Sequence, residues 1–165
     1  MMDPRADFLR RTPFFGGLAD AQLARVMGML VERSYPAGDT VYREGELGRS
    51  MYIVGTGQLV VCRGGGSGHL VKLLRLWPGD FFGDTALIAI QPRDATVLVE
   101  TDARLYELTN GDLYRLYQGD VHAYVMVLQN MNRELCRRLL QADDRITEVA
   151  DELGDDETQI RSRVE

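Results

Sequence analysis

The stretch GDTALIAIQPRDATV, residues 83–97, combines three residue types suited to binding a small anion that carries hydroxyl groups. Gly83 lets the backbone approach a ligand, and the residues after it can form a helical turn whose free N–H groups face an anion. Arg93 supplies a planar guanidinium that matches two phosphate oxygens, and Asp84 supplies an acceptor for sugar hydroxyls. The stretch favours a pocket for phosphate and sugar, and a turn closed by an exposed Asp84–Arg93 salt bridge is the open alternative.

Other residues that could do chemistry lack the required spacing. The GGGSG run at 64–68 has no Lys followed by Ser or Thr and leads into a strand-like segment, so it predicts a hairpin tip rather than a phosphate loop. His69 and His122 have no partner pattern and are expected at or near the surface, while Cys62 and Cys136 are expected to be buried, reduced thiols. The sequence therefore predicts no catalytic residues, no metal ligands and no enzymatic activity.

Length and charge limit the class of protein. A chain of 165 residues with 45% apolar content predicts one domain with appendages. The net charge of −6 and the lack of a Lys/Arg cluster argue against a nucleic-acid partner, because such surfaces must neutralise phosphates. No apolar run is long enough to cross a bilayer, and the first residues are too charged for a signal peptide. We expect a cytoplasmic protein without a membrane partner.

Three kinds of periodicity follow one another along the chain. Residues 14–30 show helical spacing of apolar side chains, with Asp20 as the expected N-cap. From about Val31 to Leu108 the period becomes two, and turn residues, mostly glycines, separate seven short β-prone runs: LVERSY, TVYRE, MYIVG, QLVVCR, LVKLLRLW, ATVLVE and ARLYEL. This pattern predicts seven or eight strands in an antiparallel sandwich or roll. After Asn110 the helical period returns.

The segment FFGDTALIAIQPRDATV resembles the phosphate-binding cassette of cyclic nucleotide-binding domains, whose form is Phe-Gly-Glu-x-Ala-Leu, a short spacer and Arg-x-Ala. The upstream segment YPAGDTVYREGELGRSMYIVGTGQLVV is similar to the opening strands of that family. The resemblance covers roughly residues 14 to 140. It implies an α+β, mainly β fold: an eight-stranded antiparallel β-roll, or jelly roll, with a short N-terminal helix and a long C-terminal helix. The nucleotide-binding domain is expected to span residues 1–120.

The resemblance also implies a set of ligand-binding residues. In the cassette these are Phe82, Gly83, Asp84, Thr85, Ala86, Arg93 and Asp94. Arg93 and the amides around Thr85 and Ala86 are implied to bind the cyclic phosphate. Gly83 and Asp84 are implied to hold the ribose 2′-hydroxyl. The expected ligand is cyclic AMP or cyclic GMP, with cyclic di-GMP as an alternative, and no cofactor or metal is expected.

Two residues depart from the family pattern, and two strand residues are implied more weakly. Asp84 replaces a glutamate and is shorter by one carbon–carbon bond, about 1.5 Å, so the ribose contact needs a backbone shift or a water. Asp94 follows Arg93 directly and would repel a phosphate unless it points away or meets a donor such as a guanine edge. Asp94 therefore mildly favours guanine nucleotides. Val61 and Leu73 are implied to wall the base, although such residues are ordinary core in any sandwich.

A heptad pattern extends through residues 121–153. Steps of four and three residues connect its a and d positions, which are Val121, Val125, Leu128, Asn132, Leu135, Leu139, Ala142, Ile146, Val149 and Leu153. One helix packed on its own domain explains the first half, where Val127 and Met131 widen the apolar face. A parallel two-stranded coiled coil explains the whole seam, and Asn132 at an a position would fix its register. Arg138 is expected either to pair with the partner's Asp143 or to reach the ligand.

In relatives of the catabolite activator protein, a long helix after the roll carries the dimer interface, and a helix-turn-helix domain follows. Residues 154–165 read instead as a disordered acidic tail, so no DNA-binding domain is expected. The sequence thus predicts a stand-alone, dimeric cyclic nucleotide-binding regulatory module that signals to a downstream protein. The alternative is a ligand-free scaffolding module whose pocket has been degraded by Asp84 and Asp94.

Overall fold

Eight strands and five α-helices are formed by residues 5–66 and 68–153, the parts of the chain that the computed structural model describes. The strands are β1 (Val31–Tyr35), β2 (Thr40–Tyr42), β3 (Ser50–Thr56), β4 (Leu59–Gly64), β5 (Leu70–Leu76), β6 (Phe81–Phe82), β7 (Thr96–Val99) and β8 (Ala103–Thr109). The helices are α1 (Ala6–Arg10), α2 (Asp20–Met27), α3 (Asp84–Ala89), α4 (Asn110–Gly119) and α5 (Val121–Leu153). The predicted tail at 154–165 lies outside the described residues.

The strands pair into two four-stranded antiparallel sheets, in the orders β1-β8-β3-β6 and β2-β7-β4-β5. Alternation along the strands directs one set of side chains inward: in β7, Val97 and Val99 are buried and Leu98 between them is half-buried. The inward side chains form one cluster, made of Tyr42, Tyr52, Val54, Leu59, Leu76, Phe82, Val97, Val99, Ala103 and Leu105. The predicted mainly β roll with a short N-terminal and a long C-terminal helix is confirmed.

The period of two located seven of the eight strands. The strand that it missed is β6, which has only two residues and therefore shows no alternation. β6 pairs with β3 through Tyr52 opposite Phe82 and Ile53 opposite Phe81. This pairing matters because it anchors the start of the 83–97 segment to the first sheet.

The predicted helix over residues 14–30 is divided in the structure. A 3₁₀ turn at Pro13–Phe15 precedes α2, which begins only at Asp20. The expectation that Asp20 caps this helix is wrong, because the N-cap residue is Ala19, whose N–H donates to the Gln22 side chain at 3.1 Å. The Asp20 carboxylate instead pairs with an arginine of α1 at 2.6 Å.

The smaller sequence expectations have mixed outcomes. In the GGGSG run, Gly64 ends β4 and the Gly65 N–H donates to the His69 carbonyl at 2.8 Å, so the described part of the run agrees with the predicted hairpin tip. His69 and His122 are both exposed, as expected. Cys62 is buried, but Cys136 is exposed, in the part of α5 whose side chains are mostly exposed, so the expectation of two buried thiols is wrong for Cys136.

The chain ends in two consecutive helices, and both begin with a side-chain cap. The Thr109 Oγ1 accepts the Asp112 N–H at 3.1 Å, and the Asp112 carboxylate accepts the Thr109 N–H at 2.9 Å. Asp120 caps α5 by accepting the Ala123 N–H at 2.9 Å. α5 has the bounds predicted from the heptad pattern. None of the described helices is both long and apolar enough to cross a membrane.

The described residues divide into two compact units, one up to Asn130 and one from Met131. In the first unit the buried Asn130 side chain donates to the carbonyls of Phe14 and Gly16, at 3.0 and 2.8 Å. These bonds attach the first turns of α5 to the N-terminal segment. The second unit continues α5 as a helix whose side chains are mostly exposed.

Candidate functional site

Arg93 lies inside the first unit, with only 6% of its surface exposed. Its backbone is fixed by the turn that follows β2: the Arg93 N–H donates to the Glu46 carbonyl, and the Gly45 N–H donates to the Arg93 carbonyl, each at 2.8 Å. The position of the main chain therefore places a cation in the buried interior of this unit. A buried cation is costly unless its donors find partners.

The described partners of the Arg93 guanidinium are all neutral groups. Nη1 donates to the Gly83 carbonyl at 3.2 Å, and Nη2 donates to the Ser50 hydroxyl at 3.5 Å. The Arg93 Cζ lies 4.0 Å from the centroid of the Tyr42 ring, which is a cation–π contact. These partners hold the side chain in place, but none of them carries a negative charge that would neutralise the guanidinium.

Two glycines make room for the guanidinium. A Cβ atom on Gly48 would lie 2.5 Å from the Arg93 Nε and 2.7 Å from the Ala86 Cβ. A Cβ atom on Gly83 would lie 2.7 Å from the Arg93 Nη1, and Gly83 also has a φ of 76°, which disfavours other residues. Any side chain at either position would displace Arg93.

The short helix α3 begins directly after Gly83 and carries the other cassette residues. Asp84 is 1% exposed, Ala86 is buried and Thr85 is half-buried. Since Asp84 and Arg93 are both buried, the alternative of an exposed salt bridge between them is wrong. The helix is followed by its C-cap residue Ile90, a β-branched residue with a φ of 48°, so the backbone of the cassette is strained at this point.

An aromatic wall borders Arg93 on the side of the roll interior. The rings of Tyr52 and Phe82 are stacked with centroids 5.4 Å apart, and the Tyr42 centroid lies 6.3 and 6.0 Å from them respectively. Val61 is half-buried and packs against this cluster. The structure thus brings Phe82 and Val61 to the same interior as the cassette.

Leu73 is placed differently from Val61. It lies on β5, the edge strand of the second sheet, and is 38% exposed. The pairing passes from Leu74 opposite Val61 to Lys72 opposite Cys62, so Leu73 is the extra residue of a β-bulge. Among the described residues Leu73 is not part of the buried aromatic cluster, and its contact with a base stays a prediction.

The charged residues of the cassette affect the pKa of the Tyr42 phenol. Burial raises the pKa of the Tyr42 phenol well above its usual range, the Arg93 charge opposes this rise, and the carboxylates of Asp94 and Asp84 add to it. All three charges therefore lie close enough to Tyr42 to act on its phenol. Asp94 itself is exposed, so its carboxylate is hydrated rather than enclosed with Arg93. The phenol of Tyr42 stays neutral at physiological pH.

Arg138 belongs to the second unit and pairs within its own helix. Its Nε lies 3.0 Å from the Glu134 Oε1, and Arg137 also bonds this carboxylate. Burial raises the pKa of Glu134, but the hydrogen bonds from Arg137 and Arg138 outweigh burial and lower it overall. The expected pair between Arg138 and a partner's Asp143 and the reach of Arg138 to a ligand both stay predictions.

The apolar side chains of α5 fall into two sets. Ala123, Val127 and Met131 are buried, which agrees with the packing expected for the first half of the helix. Many positions of the heptad seam are exposed in the single chain: Val121, Val125, Asn132, Leu139, Ile146, Val149 and Leu153. The seam therefore presents an apolar surface that the chain itself leaves accessible.

The cassette residues were predicted from the sequence, whereas Tyr42, Gly48 and Ser50 were not. All three lie in the upstream segment that resembles the opening strands of the family. The signal was therefore present, but a pattern of strands and turns does not show which residues face an arginine more than 40 positions later; for Ser50 the separation is 43. Within the described ranges, no group of three His, Cys, Asp or Glu side chains is arranged to hold a metal ion.

Comparison with known proteins identifies the class. Residues 32–120 match the family described as the cyclic nucleotide-binding domain. Because this match covers more than half of the 165 residues, the chain belongs to the cyclic nucleotide-binding domain family. The predicted family membership is thereby confirmed.

Individual relatives agree with this assignment. The chain is 29% identical over 135 residues to the cyclic AMP receptor protein of Thermus thermophilus, covering 82% of this chain and 61% of that protein. It is 39% identical over 96 residues to the cAMP-dependent protein kinase regulatory subunit of Dictyostelium discoideum, covering 57% of this chain and 29% of that protein. The structure resembles the catabolite activator protein of Thermus thermophilus with a TM-score of 0.75 and 28% identity, covering 84% and 63% of the two chains. The chain thus spans less than two thirds of each.

Proposed function

We propose that this chain is a regulatory module that binds a cyclic nucleotide in the cassette between β6 and β7. The observation that carries the proposal is Arg93, a cation 6% exposed whose described partners are neutral. A phosphate would supply the negative charge that these partners lack, and charge-assisted hydrogen bonds are roughly twice as strong as neutral ones. An enzymatic role is not proposed, because a binding site accounts for the arrangement of these residues.

The remaining cassette residues are proposed to complete the contacts of the sugar-phosphate. The backbone N–H groups around Thr85 and Ala86, at the start of α3, would donate to the phosphate oxygens. Asp84 and Gly83 would contact the ribose 2′-hydroxyl. Phe82 lies in the buried aromatic wall, with Val61 packed against it, and together they would face the base.

We propose cyclic AMP as the first ligand to test. Two of the matched relatives carry cyclic AMP in their names, as a receptor protein and as the regulatory subunit of a kinase. Cyclic GMP and cyclic di-GMP remain alternatives because the exposed Asp94 carboxylate can accept hydrogen bonds from a guanine edge.

For the output, we propose a homodimer through the exposed seam of α5 that passes ligand-dependent changes to a downstream protein. The seam supports this because most of its a and d side chains are apolar and exposed, and burying them in a coiled coil stabilises the pair. We keep the cytoplasm as the proposed location. The second candidate is a ligand-free scaffolding module, which the short Asp84 and the charged Asp94 would favour.

Calorimetric titration of the chain with cyclic AMP, cyclic GMP and cyclic di-GMP separates these candidates. The proposed function predicts saturable binding of at least one nucleotide, with 5′-AMP as a control that lacks the cyclic phosphate and binds more weakly. If none of the three nucleotides binds at millimolar concentration, the proposed function is wrong and the ligand-free scaffolding module is favoured.

A further inference from the structure

Tyr42 is the residue whose aromatic face covers Arg93. It ends β2 and is 8% exposed, and its ring centroid lies 4.0 Å from the Arg93 Cζ. The cassette motif does not include Tyr42, which lies 51 residues before Arg93 in the sequence. The contact therefore joins the opening strands of the roll to the proposed phosphate site.

A ring in this position orients a guanidinium without using its donors. The N–H groups of arginine lie in the guanidinium plane, so a ring stacked on the face of that plane leaves the edge free for oxygen acceptors. In the structure two edge nitrogens bond Gly83 and Ser50 at 3.2 and 3.5 Å, which are long contacts that a phosphate could replace or extend. A ring parallel to the guanidinium would hold its plane while the edge exchanges partners.

The Tyr42 ring is itself held in place. Phe82 and Tyr52 lie with their centroids 6.0 and 6.3 Å from it, in the same buried cluster. The burial of Tyr42 and the aromatic packing leave few orientations for its ring. Because the phenol is neutral, the ring adds no anion that would compete with a phosphate for Arg93.

We propose that Tyr42 is a positioning residue for the cyclic phosphate, whose ring fixes the guanidinium plane of Arg93 so that its edge faces the ligand. This inference rests on the proposed function. It requires the aromatic face of Tyr42 rather than its hydroxyl or its volume. Tyr42→Phe keeps that face, whereas Tyr42→Leu keeps an apolar side chain and removes it.

A first measurement tests the stack in the free protein, without any nucleotide. Protons over the face of an aromatic ring are shifted to lower frequency, so the Arg93 Nε–H resonance in a ¹⁵N–¹H spectrum reports the contact. We expect a shifted resonance in the wild type and in Tyr42→Phe, and an unshifted one in Tyr42→Leu. An unshifted resonance in the wild type would overturn the proposed geometry.

A second measurement tests the role of the stack, using the dissociation constant for cyclic AMP. We expect Tyr42→Leu to weaken binding by about tenfold to thirtyfold, the range of a desolvated cation–π contact, and Tyr42→Phe to change it by less than about threefold. Tyr35→Leu is the matched control, because Tyr35 packs against the same cluster from β1. In an Arg93→Ala background Tyr42→Leu should add no further loss.

A fluorinated variant and the nucleotide affinity of the wild type separate failure of the positioning role from failure of the proposed function. If Tyr42→Leu does not fold, trifluorophenylalanine at position 42 keeps the ring shape and weakens its negative face, so affinity should fall below that of Tyr42→Phe. Wild-type affinity in Tyr42→Leu or the fluorinated variant, or an equal loss in the Arg93→Ala background, would overturn the positioning role. A wild type that shows the shifted resonance and binds no cyclic nucleotide would instead refute the proposed function, and the inference with it.

Discussion

At the scale of single residues, Arg93 determines which ligands the cassette can bind. Gly48 and Gly83 leave space for its guanidinium, while Ser50 and the Gly83 carbonyl accept its hydrogen bonds. Transferring a cation into an apolar interior is costly, and neutral partners recover only part of that cost. An anionic ligand would recover more, which is why the surroundings of Arg93 favour an exchange of partners on binding.

The length of the side chain at position 84 gives the first prediction. Asp84 is buried at the start of α3, and it is one bond shorter than the glutamate of the family pattern. Asp84→Glu should preserve or improve the affinity for cyclic AMP, whereas Asp84→Ala should lose about 1 to 3 kcal/mol by leaving a ribose hydroxyl unpaired. Titration of both variants measures this. Equal affinity of Asp84→Ala and the wild type would show that Asp84 does not contact the ribose.

Asp94 gives a prediction about the preference between bases. Its carboxylate is exposed and adjacent to Arg93, so it can accept hydrogen bonds from a guanine edge but repels a nearby phosphate. If Asp94 hydrogen-bonds a guanine edge, Asp94→Ala should reduce the preference for cyclic GMP over cyclic AMP, measured as the ratio of the two affinities, by about tenfold or less. Competition titrations with the two nucleotides measure the ratio. Tighter binding of cyclic AMP by the wild type would contradict a guanine-reading role.

The sequence was informative about single residues only where the motif is continuous. Gly83, Asp84 and Arg93 could be proposed as site residues because they lie within eleven consecutive positions. Tyr42 and Ser50 reach Arg93 from separate strands, and the contact depends on how those strands cross the cassette. That geometry follows from the pairing of the sheets, which periodicity does not specify.

At the scale of elements, long periodic segments were predicted well and short ones were not. The heptad pattern gave the bounds of α5, and alternation located seven strands. β6 was missed because two residues cannot show a period, and the helix over 14–30 was overextended because Gly16 and Gly17 divide its apolar pattern. Gly17 has a φ of 77°, which a continuous α-helix does not allow.

The cap of α4 gives a prediction for stability. The Thr109 hydroxyl accepts the Asp112 N–H, and the Asp112 carboxylate accepts the Thr109 N–H. Burial raises the pKa of Asp112, but the bonds from Thr109, with a smaller effect of Arg115, lower it overall. Thr109→Ala should therefore reduce the free energy of unfolding by about 1 kcal/mol at pH 7, while Thr109→Ser retains the cap.

The pH dependence of this effect has a defined sign. A carboxylate with a lowered pKa in the folded state stabilises it above the unfolded pKa, about 3.9, and this contribution disappears as the pH falls through the folded pKa. The difference between Thr109→Ala and the wild type should thus shrink below about pH 4. Urea unfolding at a series of pH values measures it. A difference that stays constant into strong acid would show that Asp112 does not contribute through its charge.

At the scale of the whole molecule, the exposed seam of α5 predicts a parallel homodimer. Asn132 can pair with its own counterpart only if the two helices are parallel and in register. Placing charges at Leu139 and Ile146, which are 62% and 67% exposed in the single chain, should dissociate the dimer without disturbing the roll. Gln141→Glu, which lies off the seam, is the matched control.

Sedimentation equilibrium decides this prediction. The wild type and Gln141→Glu should be dimers at micromolar concentration, and the double variant Leu139→Glu, Ile146→Glu should be a monomer. A monomeric wild type under these conditions would contradict the dimer. Substitution is preferable to truncation after Asp120, because Ala123 and Val127 are fully buried and Asn130 bonds the N-terminal segment.

The most direct test of nucleotide binding through Arg93 is the affinity of Arg93→Ala for cyclic AMP, measured by calorimetry beside Arg75→Ala. Arg75 pairs with Glu100 on the outside of the second sheet at 2.9 Å and serves as the control for a lost arginine. Arg93→Ala should lose roughly 2 to 5 kcal/mol, which is about thirtyfold to several thousandfold, while Arg75→Ala binds like the wild type. Arg93→Lys, which keeps the charge without the planar guanidinium, should show an intermediate loss. A folded Arg93→Ala protein that binds cyclic AMP with wild-type affinity would contradict the assignment of the cassette as the phosphate site.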